Sequence, residues 1–218
     1  MLDQIVVSWS GGKDSALALY ELQRSGDYEI HALLATLTED YDRISMHGVR
    51  RDLLEQQVEA LGYPLEQLFL SKDSSNEEYE ERVIGVLDGF REVGVSSVAF
   101  GDIFLEDVRR YREERILSKV GMKGVFPLWK KDTLELARTF IDLDFKAVTT
   151  CVDSHHLGRE FVGRKFDEDF LADLPSQVDP CGENGEFHSF VYDGPLYRRR
   201  IPYALGEVIL REGRFYYC

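Results

Sequence analysis

The sequence has few cysteines, no long apolar run and no excess of positive charge. Its three cysteines, Cys151, Cys181 and Cys218, are widely spaced and form no Cys-x-x-Cys pair. This spacing argues against a disulfide framework and against a structural zinc site, and it favours a reducing, cytoplasmic setting. The sequence contains no run of about 18 apolar residues, the length that is needed to span a membrane. No basic segment followed by an apolar one opens the chain, so we expect no secretion signal.

The charge balance is strongly acidic. The 218 residues include 26 Lys and Arg against 40 Asp and Glu, for a formal net charge of −14. Proteins that bind nucleic acid neutralise phosphates with Lys and Arg, so this balance disfavours a nucleic-acid partner. With 44% hydrophobic and 30% charged residues, the composition is that of an ordinary globular protein.

Short apolar runs alternate with helix-forming stretches over the first 152 residues. We expect strands at residues 5–8, 29–37, 65–70, 96–103 and 145–152. We expect helices at residues 16–26, 49–62, 76–94, 106–120 and 132–141, the last with Asp132 as its N-cap. This alternation predicts an α/β fold with a parallel sheet and helices on both of its faces.

The remaining residues, 153–218, have a different pattern. A short helix is expected within residues 166–174, a strand ending in a turn at residues 186–195, and a hairpin around Glu212 and Gly213. The sequence therefore predicts a second, smaller α+β subdomain at residues 153–218, after a domain at residues 1–152.

The stretch Ser10-Gly-Gly-Lys-Asp-Ser15 follows the first predicted strand. It is too short for a Walker phosphate loop, in which four residues separate the first Gly from Gly-Lys-[Ser/Thr]. A turn into a helix here would point free N–H groups at one spot, and the two glycines would let a phosphate approach closely. Lys13 adds a cation, and Asp14 could hold Mg²⁺ through water. The alternative is a helix start with a serine cap and incidental glycines.

Placed after the first strand, this stretch resembles the signature of the PP-loop, or N-type ATP pyrophosphatase, superfamily. The resemblance implies a Rossmann-like (HUP-type) fold. It also implies ATP and Mg²⁺ as cofactors, with ATP split between the α and β phosphates and the loop holding pyrophosphate. Asp102 follows the fourth predicted strand, at the sheet edge where such proteins bind ligands. We expect ATP contacts from Ser8, Ser10, Gly11, Gly12, Lys13, Asp14, Ser15, Gly101 and Asp102.

Three further segments indicate which branch of this superfamily the chain resembles: Gly124–Trp129, His156–Phe161 and Pro180–Tyr197. Together they resemble the diphthine–ammonia ligase family over nearly the whole chain. The resemblance implies a ligase that adenylates a substrate carboxylate, after which ammonia or an amine displaces AMP. It implies ATP, ammonia and a carboxylate-bearing acceptor, either a protein side chain or a small molecule, as partners. Residues 1–152 would bind ATP and residues 153–218 the acceptor.

The C-terminal motif of that family is Glu-Gly-Gly-Glu-Tyr-Glu-Thr, and this chain matches it in part. Its first two acids and its second glycine are present as Glu183, Glu186 and Gly185. Asn184, Phe187, His188 and Ser189 depart from it. The departures fall where acceptor recognition is expected. This version resembles a bacterial branch, for which a role in cobalamin-related metabolism has been suggested.

Several acidic and basic side chains are candidates for chemistry. Glu183 and Glu186 could bind Mg²⁺, an amine or ammonium, or could belong to a solvated acidic loop. His188 is a candidate general base, or a solvent-facing strand histidine. The expected catalytic residues are Lys13, Asp14, Glu183, Glu186 and His188, with Asp14 also the candidate Mg²⁺ ligand.

Substrate contacts are expected by resemblance. The residues concerned are His47, Arg109, Glu113, His156 and Gly185. The second arginine of the family is Tyr111 here. The alternative for Arg109 and Glu113 is a salt-bridged helix face. A nucleophilic role for Cys181 would need an electropositive neighbourhood, which the nearby Glu183 opposes.

Two other functions compete with the ligase. One is a nucleotide-binding sensor of the same fold without turnover. The other is a tRNA-thiolating PP-loop enzyme, which would use cysteine pairs or a basic extension, and this sequence has neither. A homodimer is compatible with the sequence, which leaves the oligomeric state and the acceptor open.

Overall fold

The chain forms two β-sheets, described by a computed structural model over residues 2–218. The strands of the first sheet are β1 (Asp3–Ser8), β2 (Tyr28–Thr38), β3 (Arg43–Ile44), β4 (Leu65–Leu70), β5 (Ser97–Ala99) and β6 (Lys123–Val125). Five of them run parallel in the order β4-β2-β1-β5-β6. The two-residue β3 pairs antiparallel with the end of β2.

Helices connect these strands. They are α1 (Lys13–Ser25), α2 (Arg51–Leu61), α3 (Asn76–Glu92), α4 (Glu106–Tyr111), a π-helical segment (Arg112–Leu117), α5 (Ser118–Val120) and α6 (Thr133–Asp142). The predicted cap is confirmed, because the Asp132 side chain accepts a hydrogen bond from Glu135 N at 2.9 Å. No helix within residues 2–218 is long and apolar enough to cross a membrane.

The parallel sheet separates two hydrophobic layers. On one face, α1, α2 and α6 cover it with residues such as Leu19, Leu54 and Phe140. On the other face, α3, the π-helical segment and α5 enclose a second layer that includes Leu87 and Val98. Helices on both faces of a parallel sheet confirm the predicted α/β fold class.

The second sheet is antiparallel and lies toward the C-terminus. Its strands are β7 (Lys146–Asp153), β8 (Phe187–Asp193), β9 (Ile209–Arg211) and β10 (Phe215–Tyr217), in the order β8-β7-β10-β9, and helix α7 (Glu168–Asp173) lies between β7 and β8. The hairpin around Glu212 and Gly213 is confirmed. Both residues have positive φ, of 54° and 66°, as a tight hairpin turn requires.

The prediction that residues 145–152 complete the parallel sheet was wrong. This segment is β7, and its neighbours on both sides are antiparallel strands, β8 and β10. All of its residues after Lys146 are buried, so its apolar run looks like that of a central parallel strand. The edge of the parallel sheet is taken by β6 instead. The division into residues 1–152 and 153–218 stays a prediction.

The strand order places two loops side by side. From β1 the chain moves to β2 on one side and later returns to β5 on the other, so the connections diverge between β1 and β5. A crevice at the carboxyl ends of such strands is where ligands bind in open α/β sheets. Ser10–Ser15 follows β1 and Gly101 follows β5. Both predicted segments therefore meet at this crevice.

Candidate active site

The Ser10–Ser15 loop holds its own shape through three hydrogen bonds. Ser10 Oγ accepts from Gly12 N at 3.3 Å and donates to Ser15 Oγ at 3.2 Å. Ser15 Oγ donates to Gly12 O at 2.9 Å. Gly11 has a φ of +73°, which a residue with a side chain rarely adopts. The loop is thus preformed at the start of α1, where the helix has free N–H groups.

Two glycines allow protein groups to approach this loop closely. A Cβ at Gly101 would lie 2.9 Å from the Asp14 carbonyl carbon and 3.0 Å from Ser15 N. A Cβ at Gly12 would lie 3.0 Å from the His47 ring. Side chains at either position would therefore push apart the start of α1 and its neighbours. Contacts of these glycines with ATP stay a prediction.

Lys13 points into the protein, toward the C-terminal segment. Its buried ammonium lies 2.8 Å from the Asp14 carboxylate, donates to Cys181 O, and lies 5.5 Å from the Phe187 ring centroid. Burial by itself would lower the pKa of Lys13, but the nearby acidic groups, Asp14 foremost, together hold that pKa above its ordinary value. Lys13 is therefore a fixed positive charge at the start of α1.

Glu183 brings the C-terminal segment across the crevice. Its Oε1 accepts from Ile103 N at 2.7 Å and, at 3.4 Å, from the next N–H along the chain. Burial raises the pKa of the Glu183 carboxyl to about 7, although the Ile103 N–H lowers it. The charges of Asp14 and Asp102 raise this pKa further, while Lys13 opposes them. A carboxyl with such a pKa suits proton transfer near neutrality.

This raised pKa makes stability depend on pH. Between the ordinary value of about 4.3 and a pKa of about 7, the folded protein holds a proton on Glu183 that the unfolded chain releases. We therefore expect the free energy of unfolding to fall as pH rises through this window. Urea titrations of the wild type and Glu183→Gln measure the difference, which shrinks toward acid pH. Glu114→Gln, on an exposed helix position, is the control. An equal pH dependence in all three proteins would contradict the assignment.

Glu186, the second predicted catalytic acid, holds the loop that carries Glu183. Its side chain is 1% exposed. One carboxylate oxygen accepts from Asp179 N and Asn184 Nδ2, each at 3.0 Å, and the other from Asn184 N at 3.0 Å. Asp179 Oδ1 in turn accepts from Glu183 N at 3.2 Å. The geometry makes Glu186 a positioning residue, and its catalytic role stays a prediction.

His47 and His188 come together above the glycine loop. Their ring centroids are 4.5 Å apart, and His47 Nδ1 lies 3.4 Å from Ser189 O. Burial lowers the pKa of His47 to about 4, and it lowers the pKa of His188 well below its usual range, with Lys13 adding to both shifts. Such low pKa values make both neutral rings weak bases near pH 7, so Glu183 is better matched than His188 to the task of a general base.

Asp102 lies beside the same crevice but is tied to an arginine that the sequence analysis missed. Arg112 donates to both of its carboxylate oxygens, at 2.6 and 3.1 Å. The Arg112 guanidinium also lies 4.4 Å from the ring centroid of Phe100. Arg112 opens the π-helical segment, a geometry that is frequent at functional sites. Its spacing of three residues from Arg109 was the only sequence signal.

Within residues 2–218, no hydrogen bond or ion pair connects the other predicted substrate residues to the Ser10–Ser15 loop. Arg109 pairs with Glu113 at 3.0 Å and packs against Phe126 and Trp129. The exposed His156 side chain makes no hydrogen bond or ion pair with any residue in that range. Gly185 has a φ of +86° and open space at its Cβ. Ser8, at the end of β1, is partly buried. Their substrate and ATP contacts stay predictions.

A buried glutamine connects the loop to both halves of the chain. Gln57 is 0% exposed. It accepts from Trp9 Nε1 at 2.8 Å and donates to Gly11 O at 3.0 Å and to Val191 O at 2.6 Å. A polar residue on the apolar face of the predicted helix 49–62 was the signal for this role. Val191 N also donates to Gly11 O at 2.9 Å, so strand β8 anchors the loop directly.

A magnesium site built only from protein ligands is absent from the part of the chain that the structure describes. Residues 2–218 contain no group of three or more His, Cys, Asp or Glu side chains arranged to hold a metal ion. Mg²⁺ commonly uses one or two carboxylates together with substrate phosphates. The partly exposed Asp14 carboxylate, in the first turn of α1, fits that mode of binding.

These features define the class of protein. A parallel α/β sheet with a Ser-Gly-Gly-Lys-Asp-Ser loop between β1 and α1 is the arrangement of a PP-loop protein. The model of the diphthamide synthase N-terminal domain matches residues 3–124, and that of the diphthamide synthase C-terminal domain matches residues 132–216. The chain belongs to the diphthamide synthase family.

Curated relatives carry a single name. Proteins named diphthine–ammonia ligase from Schizosaccharomyces pombe, Danio rerio and Homo sapiens are 28%, 23% and 24% identical to this chain, over 92%, 93% and 93% of its length. The matches cover 36%, 87% and 84% of those proteins, so the chain spans about a third of the first. Among solved structures, a predicted subunit of tRNA methyltransferase from Methanocaldococcus jannaschii is 19% identical, over 65% of this chain and 75% of that one, with a TM-score of 0.40.

Proposed function

We propose that the protein is an ATP-dependent ligase that forms AMP. A carboxylate oxygen of an acceptor attacks the α-phosphorus of ATP, and the bond to the bridging oxygen breaks to release pyrophosphate. Ammonia, or an amine, then attacks the acyl carbon, AMP leaves, and the attacking nitrogen loses a proton. The relatives named diphthine–ammonia ligase support this reaction class.

One observation carries the proposal. The preformed loop after β1 and the Glu183 carboxyl face the same crevice, although the two lie far apart in the sequence. Glu183 is held there by the Ile103 N–H after β5 at 2.7 Å, and Lys13 is held by the carbonyl of Cys181 in the same segment. An anion-binding loop is thereby joined to a carboxyl poised near pH 7, which a simple binding protein would not need.

Different groups of the chain have different roles in this reaction. The N–H groups at the start of α1 and the Ser10 hydroxyl bind the leaving pyrophosphate, as preorganised donors do for developing charge. The Lys13 ammonium neutralises part of that charge. Glu183 accepts the proton of the attacking nitrogen. Asp14 would hold Mg²⁺, which, when bound, neutralises phosphate charge and orients the phosphates.

We propose that residues of the C-terminal subdomain, 153–218, bind the acceptor, while residues 1–152 bind ATP. His188 and Ser189 replace the acid and the threonine of the family motif beside the loop. An acceptor other than diphthine, as suggested for the bacterial branch in connection with cobalamin, fits these replacements.

The test is exchange of labelled pyrophosphate into ATP in the presence of candidate carboxylates. We expect exchange that depends on the acceptor, with AMP and pyrophosphate as products when ammonia is added. Release of ADP and phosphate would refute the proposal. Tight ATP binding without AMP formation across the acceptors tested would instead favour a sensor.

A variant separates the two half-reactions. Glu183→Gln is expected to lower the ammonia-dependent step while leaving exchange largely intact, because exchange is complete before nitrogen attacks. Glu114→Gln, on an exposed helix position, is the control for loss of a carboxylate. Loss of exchange in a folded Glu183→Gln protein would contradict the role given to Glu183.

A further inference from the structure

Three arginines gather beside the His47 loop although the chain as a whole is acidic. Arg43 lies in β3 and forms an isolated antiparallel bridge with Arg50. Arg43 also donates to Gly48 O. Arg211, from β9, places its guanidinium 5.9 Å from the ring centroid of Tyr217. Tyr217 in turn packs on Gly48, where a Cβ would lie 2.6 Å from its ring.

The three arginines lack a carboxylate partner in the part of the chain that the structure describes. Within residues 2–218, no Asp or Glu lies at ion-pair distance from Arg43, Arg50 or Arg211, despite a net charge of −14. The nearby acids are engaged elsewhere. Asp42 lies 3.8 Å from Arg51, and Asp52 accepts from the N–H of the residue after it at 2.9 Å.

The positive charges act on one another. Burial lowers the pKa of Arg43, and the charges of Arg50 and Arg211 lower it further, while the smaller effects of Asp52 and Cys218 oppose them. Arg50 also sits at the N-cap of α2 without a side-chain hydrogen bond. That end of a helix carries partial positive charge, so a cation there is unfavourable. Uncompensated positive potential of this kind is retained at a cost to stability unless an anion offsets it.

The cluster is continuous with the candidate active site. Tyr217, Cys151 and His188 are cross-strand neighbours on β10, β7 and β8, so their side chains share one face of the second sheet. His47, beside Gly48, faces His188 above the glycine loop. The three arginines therefore lie beside this face of the second sheet, farther from the crevice than His47 and His188.

We propose that Arg43, Arg50 and Arg211 bind an anionic group of the acceptor, a phosphate or a carboxylate other than the one that is activated. Guanidinium groups bind both chemistries through paired N–H donors. Assigning the ligand to the acceptor rests on the proposed function. The anion site itself does not, and its test needs no ATP.

Residue-resolved modification by phenylglyoxal tests the site in the full chain. The reagent labels guanidinium groups, and peptide mass spectrometry reports each arginine separately. Inorganic phosphate and citrate are the two probes. Arg138, exposed on α6 and without an ion pair within residues 2–218, is the matched control. We expect several-fold slower labelling of all three arginines with a probe present, and unchanged labelling of Arg138.

The probe that protects the arginines identifies the anionic group of the acceptor. Protection by phosphate alone assigns a phosphorylated acceptor, and protection by citrate alone assigns a polycarboxylate. Arg211→Gln is expected to weaken protection at Arg43 and Arg50, because the three share one anion. Labelling unaffected by either probe, or slowed equally at Arg138, would overturn the proposal. Neither result would bear on AMP formation, which the exchange experiment tests separately.

Discussion

Replacing Lys13 by methionine is expected to reduce the rate of AMP formation by about 10²- to 10³-fold, the usual effect of removing one preorganised group that stabilises transition-state charge. The reason is that Lys13 is the buried cation at the start of α1, fixed by Asp14 at 2.8 Å and by Cys181 O. Initial rates of pyrophosphate exchange and of AMP release measure the effect.

Loss of folding must be separated from loss of chemistry in this variant. Lys13→Met leaves the Asp14 carboxylate without its partner, which is itself destabilising. The double variant Lys13→Met with Asp14→Asn removes both charges, so it should regain stability in urea titrations while staying inactive. Lys119→Met, exposed on α5, is the control. Activity within tenfold of the wild type in the single variant would contradict the role of Lys13.

Replacing Gln57 by leucine is expected to have the largest effect on stability. It deprives the Trp9 indole N–H of its acceptor and removes hydrogen bonds to two main-chain carbonyls, one of them Gly11 O. Leaving buried polar groups unsatisfied costs roughly 1–3 kcal/mol each, so we expect a loss of about 3 kcal/mol in the free energy of unfolding. Affinity for ATP should fall as well, because the glycine loop loses one of its two anchors at Gly11 O and keeps only the bond from Val191 N.

The neighbouring residue provides a matched control. Gln56 lies one position earlier on α2, is partly exposed and makes no side-chain hydrogen bond within residues 2–218. Gln56→Leu is expected to change stability by no more than about 0.5 kcal/mol. Equal unfolding midpoints for the two leucine variants would show that the Gln57 network does not hold the loop.

Local patterns were enough to predict the part of the fold that forms the crevice beside the Ser10–Ser15 loop. The apolar run that ends at Ser8, the glycine loop and the helix ending at Gly26 follow from short-range rules on strands, turns and caps. Gly26 indeed adopts a φ of 69°. The alternation of strands and helices further predicted that Ser10–Ser15 and Asp102 would reach one edge of the sheet.

Contacts between segments that are far apart in the sequence were harder to predict. The strand β7 is buried along nearly its whole length, so its composition could not tell a parallel neighbour from an antiparallel one. The short β6 contains Gly124 and carries little strand signal. Arg112 was missed because its partner Asp102 lies ten residues away on a different element, and only the folded chain brings the two side chains together.

The two glutamates of the C-terminal motif show what sequence spacing cannot resolve. Glu183 and Glu186 are three residues apart and were expected to act alike. The turn between them sends Glu183 to the crevice and buries Glu186 among the N–H groups of Asp179 and Asn184. Their different environments depend on backbone geometry, including the positive φ of Gly185, and composition alone does not encode it.

The measurement that bears most directly on the account is a crystal structure with a non-hydrolysable ATP analogue. We expect the β and γ phosphates to lie within hydrogen-bond distance of Ser10 Oγ and of the N–H groups of Asp14 and Ser15. The α-phosphate should face the crevice on the side of Glu183. Phosphates bound away from the Ser10–Ser15 loop would contradict the central claim that this loop is the pyrophosphate site of an AMP-forming ligase.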